Sequence, residues 1–71
     1  KDPYGPEATY KLAVAYALVN KKGCSVELLK RLKELEKFPD TEAESGRVVK
    51  RVLSDPAFDP FRKDANAAVG Q

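Results

Sequence analysis

Hydrophobic residues recur every three or four positions along most of this chain, the spacing that places side chains on one face of an α-helix. The pattern is clearest over residues 25–38, where charged residues fill the opposite face and the apolar stripe consists of Val26, Leu28, Leu29, Leu32 and Leu35. Pro39 should stop this helix, because proline lacks the backbone N–H that a helix interior requires. A second amphipathic helix is predicted over residues 41–54, with its apolar face formed by Val48, Val49, Val52 and Leu53. No period-two pattern indicates a strand, so the predicted fold class is all-α, a small bundle of three main helices.

The third main helix precedes these two and is apolar on most sides. It is predicted to run from Glu7 to about Lys22, with a core face formed by Leu12, Ala15, Tyr16 and Val19. Because additional alanines and a leucine widen its apolar surface nearly all round, this helix is predicted to be the central one. Gly23 is expected to end it in the left-handed conformation that commonly caps helices.

The remaining segments carry recognisable start and stop residues. Residues 1–6 form an irregular lead-in rich in proline and glycine, although Pro6 is acceptable in a first helical turn. Ser25 is expected to cap the helix over 25–38, and Thr41 with Glu44 has the spacing of a capping box. Residues 55–71 are predicted to form short turns and a weak last helix, with Phe58 and Phe61 laid on the core. The chain is thus a single small helical domain over residues 1–71.

One glycine interrupts the helical pattern. Gly46 lies inside the helix predicted over 41–54, where glycine costs about 1 kcal/mol relative to alanine. Its presence indicates either that this helix starts late or that another group packs closely against it.

Composition narrows the classes of function. The 13 basic and 11 acidic side chains give a net charge of only +2, which does not by itself indicate binding to nucleic acid or to an anionic membrane. No apolar run approaches the roughly 18 residues of a transmembrane helix, so no membrane span is predicted. Cys24 is the single cysteine, which excludes an internal disulfide and fits an intracellular, reducing compartment.

The chain lacks the usual ingredients of a reaction centre. It has no histidine, the commonest general base and metal ligand. Cys24 lies near two lysines but has no recognisable base, and a small cysteine in a helix–helix turn is usually semi-buried packing. The carboxylates around the break at Pro39 do not have the spacing of a calcium loop, and the glycines are too scattered for a phosphate loop. We therefore expect no enzyme activity, no cofactor and no metal site.

The segment LLKRLKELEKFPDT, residues 28–41, resembles the second-helix region of the TFIIS N-terminal domain, a module shared with elongin A and a Mediator subunit. Residues matching the family pattern are Leu28, Leu29, Leu32, Leu35, Pro39, Thr41, Gly46, Val49 and Val52, and Ala65 and Val69 fit its last helix. The chain departs from that pattern at Ser45, which replaces an isoleucine. The resemblance implies a nuclear scaffold that holds short disordered motifs of transcription elongation partners. Such motifs insert an aromatic or aliphatic anchor between helices, and their acidic flanks meet basic side chains.

These observations lead to a specific binding hypothesis. The helices over 25–38 and 41–54 are predicted to form a groove floored by Leu32, Val49 and Val52. Three basic residues on one helical face would steer an acidic ligand to it: Arg47, Lys50 and Arg51.

Three alternatives remain open. The basic residues also fit an ordinary solvated face interleaved with glutamates, or a face that binds nucleic acid phosphates. The chain would also suit a small accessory subunit packed into a large complex, for example in an organelle.

Overall fold

The computed structural model describes residues 5–70 and has the predicted all-α fold. Its elements are α1 (Pro6–Leu18), α2 (Lys22–Leu35), α3 (Glu42–Ser54), a 3₁₀-helix (Pro56–Phe61) and α4 (Arg62–Ala68). No strand occurs in this part of the chain, and none of its helices is long and apolar enough to span a bilayer. Most of the predicted lead-in, residues 1–4, lies outside the described residues. Pro6 occupies the first turn of α1, directly after the extended residue Gly5.

The central position predicted for α1 is shared by α2. Each of the two helices packs against the other and against α3, while α1 also contacts the 3₁₀-helix and α2 also contacts α4. The predicted core face of α1 was wrong, because Leu12 and Ala15 are exposed, Val19 is 61% exposed and Tyr16 is only half-buried. The residues that α1 buries instead are Pro6, Thr9, Tyr10, Ala13 and Ala17.

A close contact between α1 and α2 explains why the small side chains of α1 face inward. Ser25 is fully buried, and its hydroxyl donates a hydrogen bond of 2.9 Å to the carbonyl oxygen of Ala13. A hydroxyl on such a short side chain reaches a neighbouring backbone only if the two helices approach closely, and large residues on the α1 face would prevent that approach. Ser25 therefore joins two helices and does not cap α2, which begins at Lys22.

The turn between α1 and α2 is built around Asn20, not Gly23. Asn20 has a positive φ of 64°, and its backbone N–H bonds to the carbonyl of Ala17. The N–H of Lys21 reaches the carbonyl of Tyr16, which completes a Schellman motif. This motif ends α1 about four residues earlier than predicted. Gly23 lies in the first turn of α2, which begins at Lys22.

At the link between α2 and α3, the predicted capping residue Thr41 makes a different hydrogen bond from the one expected. Helix α2 ends at Leu35, and the Thr41 hydroxyl donates a 2.6 Å hydrogen bond to the Leu35 carbonyl oxygen. The predicted capping box is therefore absent, although Thr41 does immediately precede α3. Ser45 is fully buried and donates to the carbonyl of Leu32 at 2.6 Å, so a second serine ties α3 to α2.

The C-terminal segment closes the core, as predicted. Phe58 is fully buried, lies 6.4 Å from the Tyr10 ring and meets Phe61 edge to face at 6.0 Å. Asp55 caps the 3₁₀-helix by accepting a 2.9 Å hydrogen bond from the Ala57 N–H. Helix α4 is the predicted last helix, and it buries Ala65. Other fully or almost fully buried core residues are Leu29, Leu32, Val48, Val52 and Val69.

Candidate functional site

An open groove of about 730 Å³ lies between α2 and α3 and beside the turn that joins them. Its apolar lining comes from Pro39, Ala43, Gly46, Val49 and Leu53, and its polar lining from Lys33, Glu36, Glu42, Arg47 and Lys50. Helix α3 therefore supplies both apolar and charged residues to one wall, and Lys33 of α2 and Glu36 just beyond its end lie opposite.

Gly46 opens the groove. A Cβ atom at this position would meet only the Glu36 Oε2 atom, at the ordinary contact distance of 3.9 Å. Helix α3 already begins at Glu42, so neither a late helix start nor close packing accounts for the glycine. The missing side chain leaves space between Ala43 and Lys50, one turn away on each side along the same helix face.

The charges around the groove are unequally compensated. The Lys33 ammonium donates a 2.8 Å hydrogen bond to Glu36, so these two charges largely cancel. Arg47 and Lys50 are exposed and form no ion pair with any described residue. The groove thus has two cations on α3 that are available to an anionic ligand, with Glu42 as the remaining acidic group in its lining.

The structure brings together half of the predicted site residues. Arg47, Val49 and Lys50 all line the groove. Leu32 and Val52 are completely buried beneath it, so they support its walls and a ligand could not contact them in this arrangement.

Arg51 lies on another side of α3. Its guanidinium bonds to Glu7 at 3.2 Å and sits 5.5 Å from the centre of the Tyr10 ring. These contacts join α3 to α1, and Arg51 does not line the groove.

The sequence did not predict seven of the ten lining residues, although a pattern existed for four of the seven. Pro39, Ala43, Gly46 and Leu53 fall with Lys50 at alternating steps of four and three, the spacing of a single helical stripe. This stripe lies beside the valine residues of α3, which form the core face. The valines are more strongly apolar, so the sequence pattern indicated them as the groove floor instead.

The basic residues of α2 are mostly neutralised by acidic neighbours. The Lys30 ammonium lies 3.7 Å from the Glu27 carboxylate, and the ammonium of Lys37, just beyond the end of α2, lies 3.4 Å from the Glu34 carboxylate. Such exposed pairs contribute little stability, but they lower the positive charge of the face. The arrangement gives no particular support to nucleic acid binding through α2.

A second polar cluster joins α1 to the end of α3. The Tyr10 hydroxyl donates a hydrogen bond to the Asp55 carboxylate, and Arg62 donates to the backbone carbonyls of Val52 and Asp55. Burial of Tyr10, with the hydrogen bond to Asp55 and the charge of that carboxylate, raises the pKa of the phenol from 10.0 to about 12. The cluster contains no nucleophile paired with a base, and its contacts indicate a structural role.

This pKa shift predicts a loss of stability at high pH. An unfolded chain releases the Tyr10 proton near pH 10, whereas the folded chain holds it until about pH 12. Stability from this group is therefore complete below pH 10 and is lost as the pH rises toward 12, by an amount on the order of 2 kcal/mol. In urea unfolding experiments between pH 9 and 12, the free energy of unfolding should fall more steeply with pH for the native chain than for Tyr10→Phe. Parallel curves for the two proteins would contradict the shift.

Two further features bear on the chemistry. Cys24 is a free, exposed thiol and not the semi-buried packing residue that was expected. Within residues 5–70, no three acidic or cysteine side chains converge closely enough to hold a metal ion.

Comparisons with known protein families, curated proteins and solved structures give no match for this chain.

Proposed function

We propose that this domain is a non-catalytic interaction module that binds a short acidic peptide segment in the groove between α2 and α3. The supporting observation is the combination of an apolar wall with the two cations Arg47 and Lys50, which have no ion-pair partner among the described residues. An apolar anchor of the peptide would contact Val49 and Leu53. Acidic residues beside the anchor would face the two cations.

The energetics favour a modest affinity and an electrostatically assisted encounter. Burying one leucine or phenylalanine side chain contributes about 1.5–3 kcal/mol. The groove is open, so its exposed ion pairs are screened by solvent and contribute mainly to the rate of association and to the choice of partner. A helix-flanked groove with this chemistry suits peptides that bind reversibly.

The sequence resemblance to the TFIIS N-terminal domain supports the same class of function. The family pattern implies binding of disordered motifs that carry an apolar anchor and acidic flanks, the ligand chemistry that the groove fits. A scaffold role in transcription elongation, with a nuclear location, is the specific form of the proposal that this resemblance adds.

An accessory subunit of a larger assembly is the second candidate. The observation that favours it is the exposure of large apolar side chains away from the groove, with Leu18 at 70%, Val19 at 61% and Phe38 at 55%. Circular dichroism of the isolated chain distinguishes the candidates. A cooperative melt indicates an autonomous module, and a gradual loss of helix indicates a subunit that depends on its neighbours.

The charge component of the proposal can be tested with a fluorescent peptide that carries one central phenylalanine between two runs of glutamate. Stopped-flow mixing should show that Arg47→Glu with Lys50→Glu slows association about tenfold at low salt and flattens its salt dependence. Lys63→Glu is the control, because it changes one exposed charge on α4, outside the groove lining. An unchanged association rate in the double variant would contradict the steering role.

The groove component needs a separate variant. Gly46→Leu should fill the space and abolish binding of the same peptide, while Gly46→Ala should keep binding and stabilise α3 by about 1 kcal/mol. Thermal melts of both variants show whether the fold is retained. Full peptide binding by a folded Gly46→Leu protein would place the ligand elsewhere.

A further inference from the structure

The groove-lining residues of α3 have the arrangement by which one helix receives the side chains of another. In a coiled coil, an apolar side chain of one helix inserts into a socket between four residues of its partner, at positions i, i+3, i+4 and i+7. Two consecutive sockets of this kind line the groove. The first consists of Ala43, Gly46, Arg47 and Lys50, and the second of Gly46, Val49, Lys50 and Leu53.

We propose that the ligand of this groove is an amphipathic α-helix whose apolar side chains fill the two sockets and whose acidic residues border that apolar face. This inference rests on the proposed function, and it adds the conformation of the ligand and the spacing of its residues.

The distance between the sockets favours a helix over an extended peptide. The sockets are offset by three residues, which is about 4.5 Å along the axis of α3. Side chains three or four residues apart on an opposing helix are separated by about 4.5–6 Å along its axis, so two of them enter both sockets together. In an extended peptide, side chains on one face are about 6.5 Å apart. When one of these occupies a socket, the next lies beyond the other socket.

The first socket has room for large side chains. Ala43 contributes only a methyl group, and Gly46, which belongs to both sockets, contributes no side chain. The Glu36 carboxylate is the only group close to a Cβ placed at Gly46, at 3.9 Å. A helix with large apolar residues can therefore approach α3 closely here, because large side chains on one helix pack best against small ones on the other.

The charges fit the same arrangement. In the heptad that contains both sockets, Ala43 and Lys50 take position a and Arg47 takes position e, where coiled coils carry the charges that select a partner. Arg47 and Lys50 form no ion pair with the described residues, whereas Lys33 and Glu36 across the groove neutralise each other. The acidic residues of the ligand are therefore expected on the side of its apolar face that borders α3.

The length of the groove predicts how the ligand behaves before it binds. From Ala43 to Leu53, α3 rises about 15 Å, which corresponds to about three turns of a partner helix. A free helix of that length is marginal in water. The ligand should therefore fold as it binds, and a peptide held helical in advance should bind more tightly because it loses less conformational entropy.

Fluorescence anisotropy with two labelled peptides of identical composition tests the proposal. One peptide has three leucines at steps of three and four residues, bordered by glutamates, and the other has the same leucines at steps of two. The first should bind at least about tenfold more tightly, because only a helical face presents leucines to both sockets. A lactam bridge between two outward-facing positions of this peptide should tighten binding further, and a central outward-facing proline should weaken it about tenfold.

A protein variant locates the helix on α3. Ala43→Leu fills the first socket and should weaken binding of the helical peptide about tenfold. Ala8→Leu is the matched control, because Ala8 is equally classed as exposed and lies on α1, outside the groove lining. Thermal melts show whether both variants remain folded, and full binding by a folded Ala43→Leu protein would overturn the proposal.

The peptide series separates this inference from the function on which it rests. Equal affinity for the two leucine patterns would overturn the helical ligand and leave the proposed function standing, as would a lactam bridge that weakens binding. Absence of binding by both peptides would contradict the proposed function as well. Sedimentation equilibrium covers the remaining occupant: a dimer of the native chain that the helical peptide disperses would assign the groove to a second copy and overturn the proposal.

Discussion

Replacing Phe58 with alanine is expected to remove most of the stability of this domain. Phe58 is fully buried and packs on Tyr10 from α1 and on Phe61, so its truncation leaves a cavity in the core. Such a truncation in a core costs about 3–5 kcal/mol. A domain of 71 residues has a total stability of only about 4–10 kcal/mol on the usual scale per residue.

Urea unfolding followed by circular dichroism measures this effect. The unfolding midpoint of Phe58→Ala should fall sharply, in proportion to the stability lost. Phe38→Ala is the matched control, since Phe38 is 55% exposed and its truncation should change stability by no more than about 0.5 kcal/mol. Similar midpoints for the two variants would show that the 3₁₀-helix does not close the core.

The second large effect is expected from a leucine at Ala13. This alanine is completely buried on the side of α1 that meets Ser25, and its carbonyl accepts the Ser25 hydrogen bond. Three added carbon atoms cannot be placed there without separating α1 from α2, which also breaks that bond. Overpacking of this kind costs about 1–3 kcal/mol, and loss of the buried hydrogen bond adds to it.

The control for this prediction lies two residues away on the same helix. Ala15 is exposed, so Ala15→Leu should alter the free energy of unfolding by no more than about 0.5 kcal/mol. Thermal and urea unfolding of the two variants, at concentrations that keep the chain monomeric, compare the two faces directly. If Ala15→Leu proved the more destabilising change, α1 would be rotated relative to its position in this structure.

The contrast between these alanines shows what sequence patterns could and could not predict. The existence and apolar faces of α2 and α3 were predicted correctly, because each helix has one clearly apolar and one clearly charged face. The predicted bounds of α2, residues 25–38, were wrong by three residues at each end, since the helix starts after the turn at Asn20 and ends at Leu35. Helix α1 is apolar nearly all round, so periodicity could not select its buried side. The deciding factor was the close approach of α2 through Ser25, a contact between residues twelve positions apart.

The helix ends illustrate the same limit. The 3₁₀-helix starts where local sequence favours it, since Asp55 is its cap and Pro56 lies in its first turn, and both act within a few residues. Thr41 has the sequence of a capping residue, yet its hydroxyl bonds to Leu35 in the preceding helix. Local sequence gives the hydrogen-bonding capacity of such a residue, and tertiary packing selects its partner.

The candidate site was predicted only in part for a related reason. Arg47 and Lys50 were expected on an exposed helix face, and both line the groove. Leu32 and Val52 were assigned to the groove floor, but a sequence does not distinguish an apolar residue that lines a groove from one buried beneath it. Gly46 was noticed as a cost to the helix, and its contribution to the shape of the groove became clear only from the packing around it.

The most direct test of the central claim is a nuclear magnetic resonance titration of the isotopically labelled chain with the acidic phenylalanine peptide. Amide shift changes should cluster at Ala43, Gly46, Val49, Lys50 and Leu53. The backbone of the α1 outer face and of α4 should change little. Shift changes concentrated on α1 would contradict the assignment of the α2–α3 groove as the binding surface. An absence of shift changes at peptide concentrations high enough to saturate a weak, reversible complex would contradict it as well.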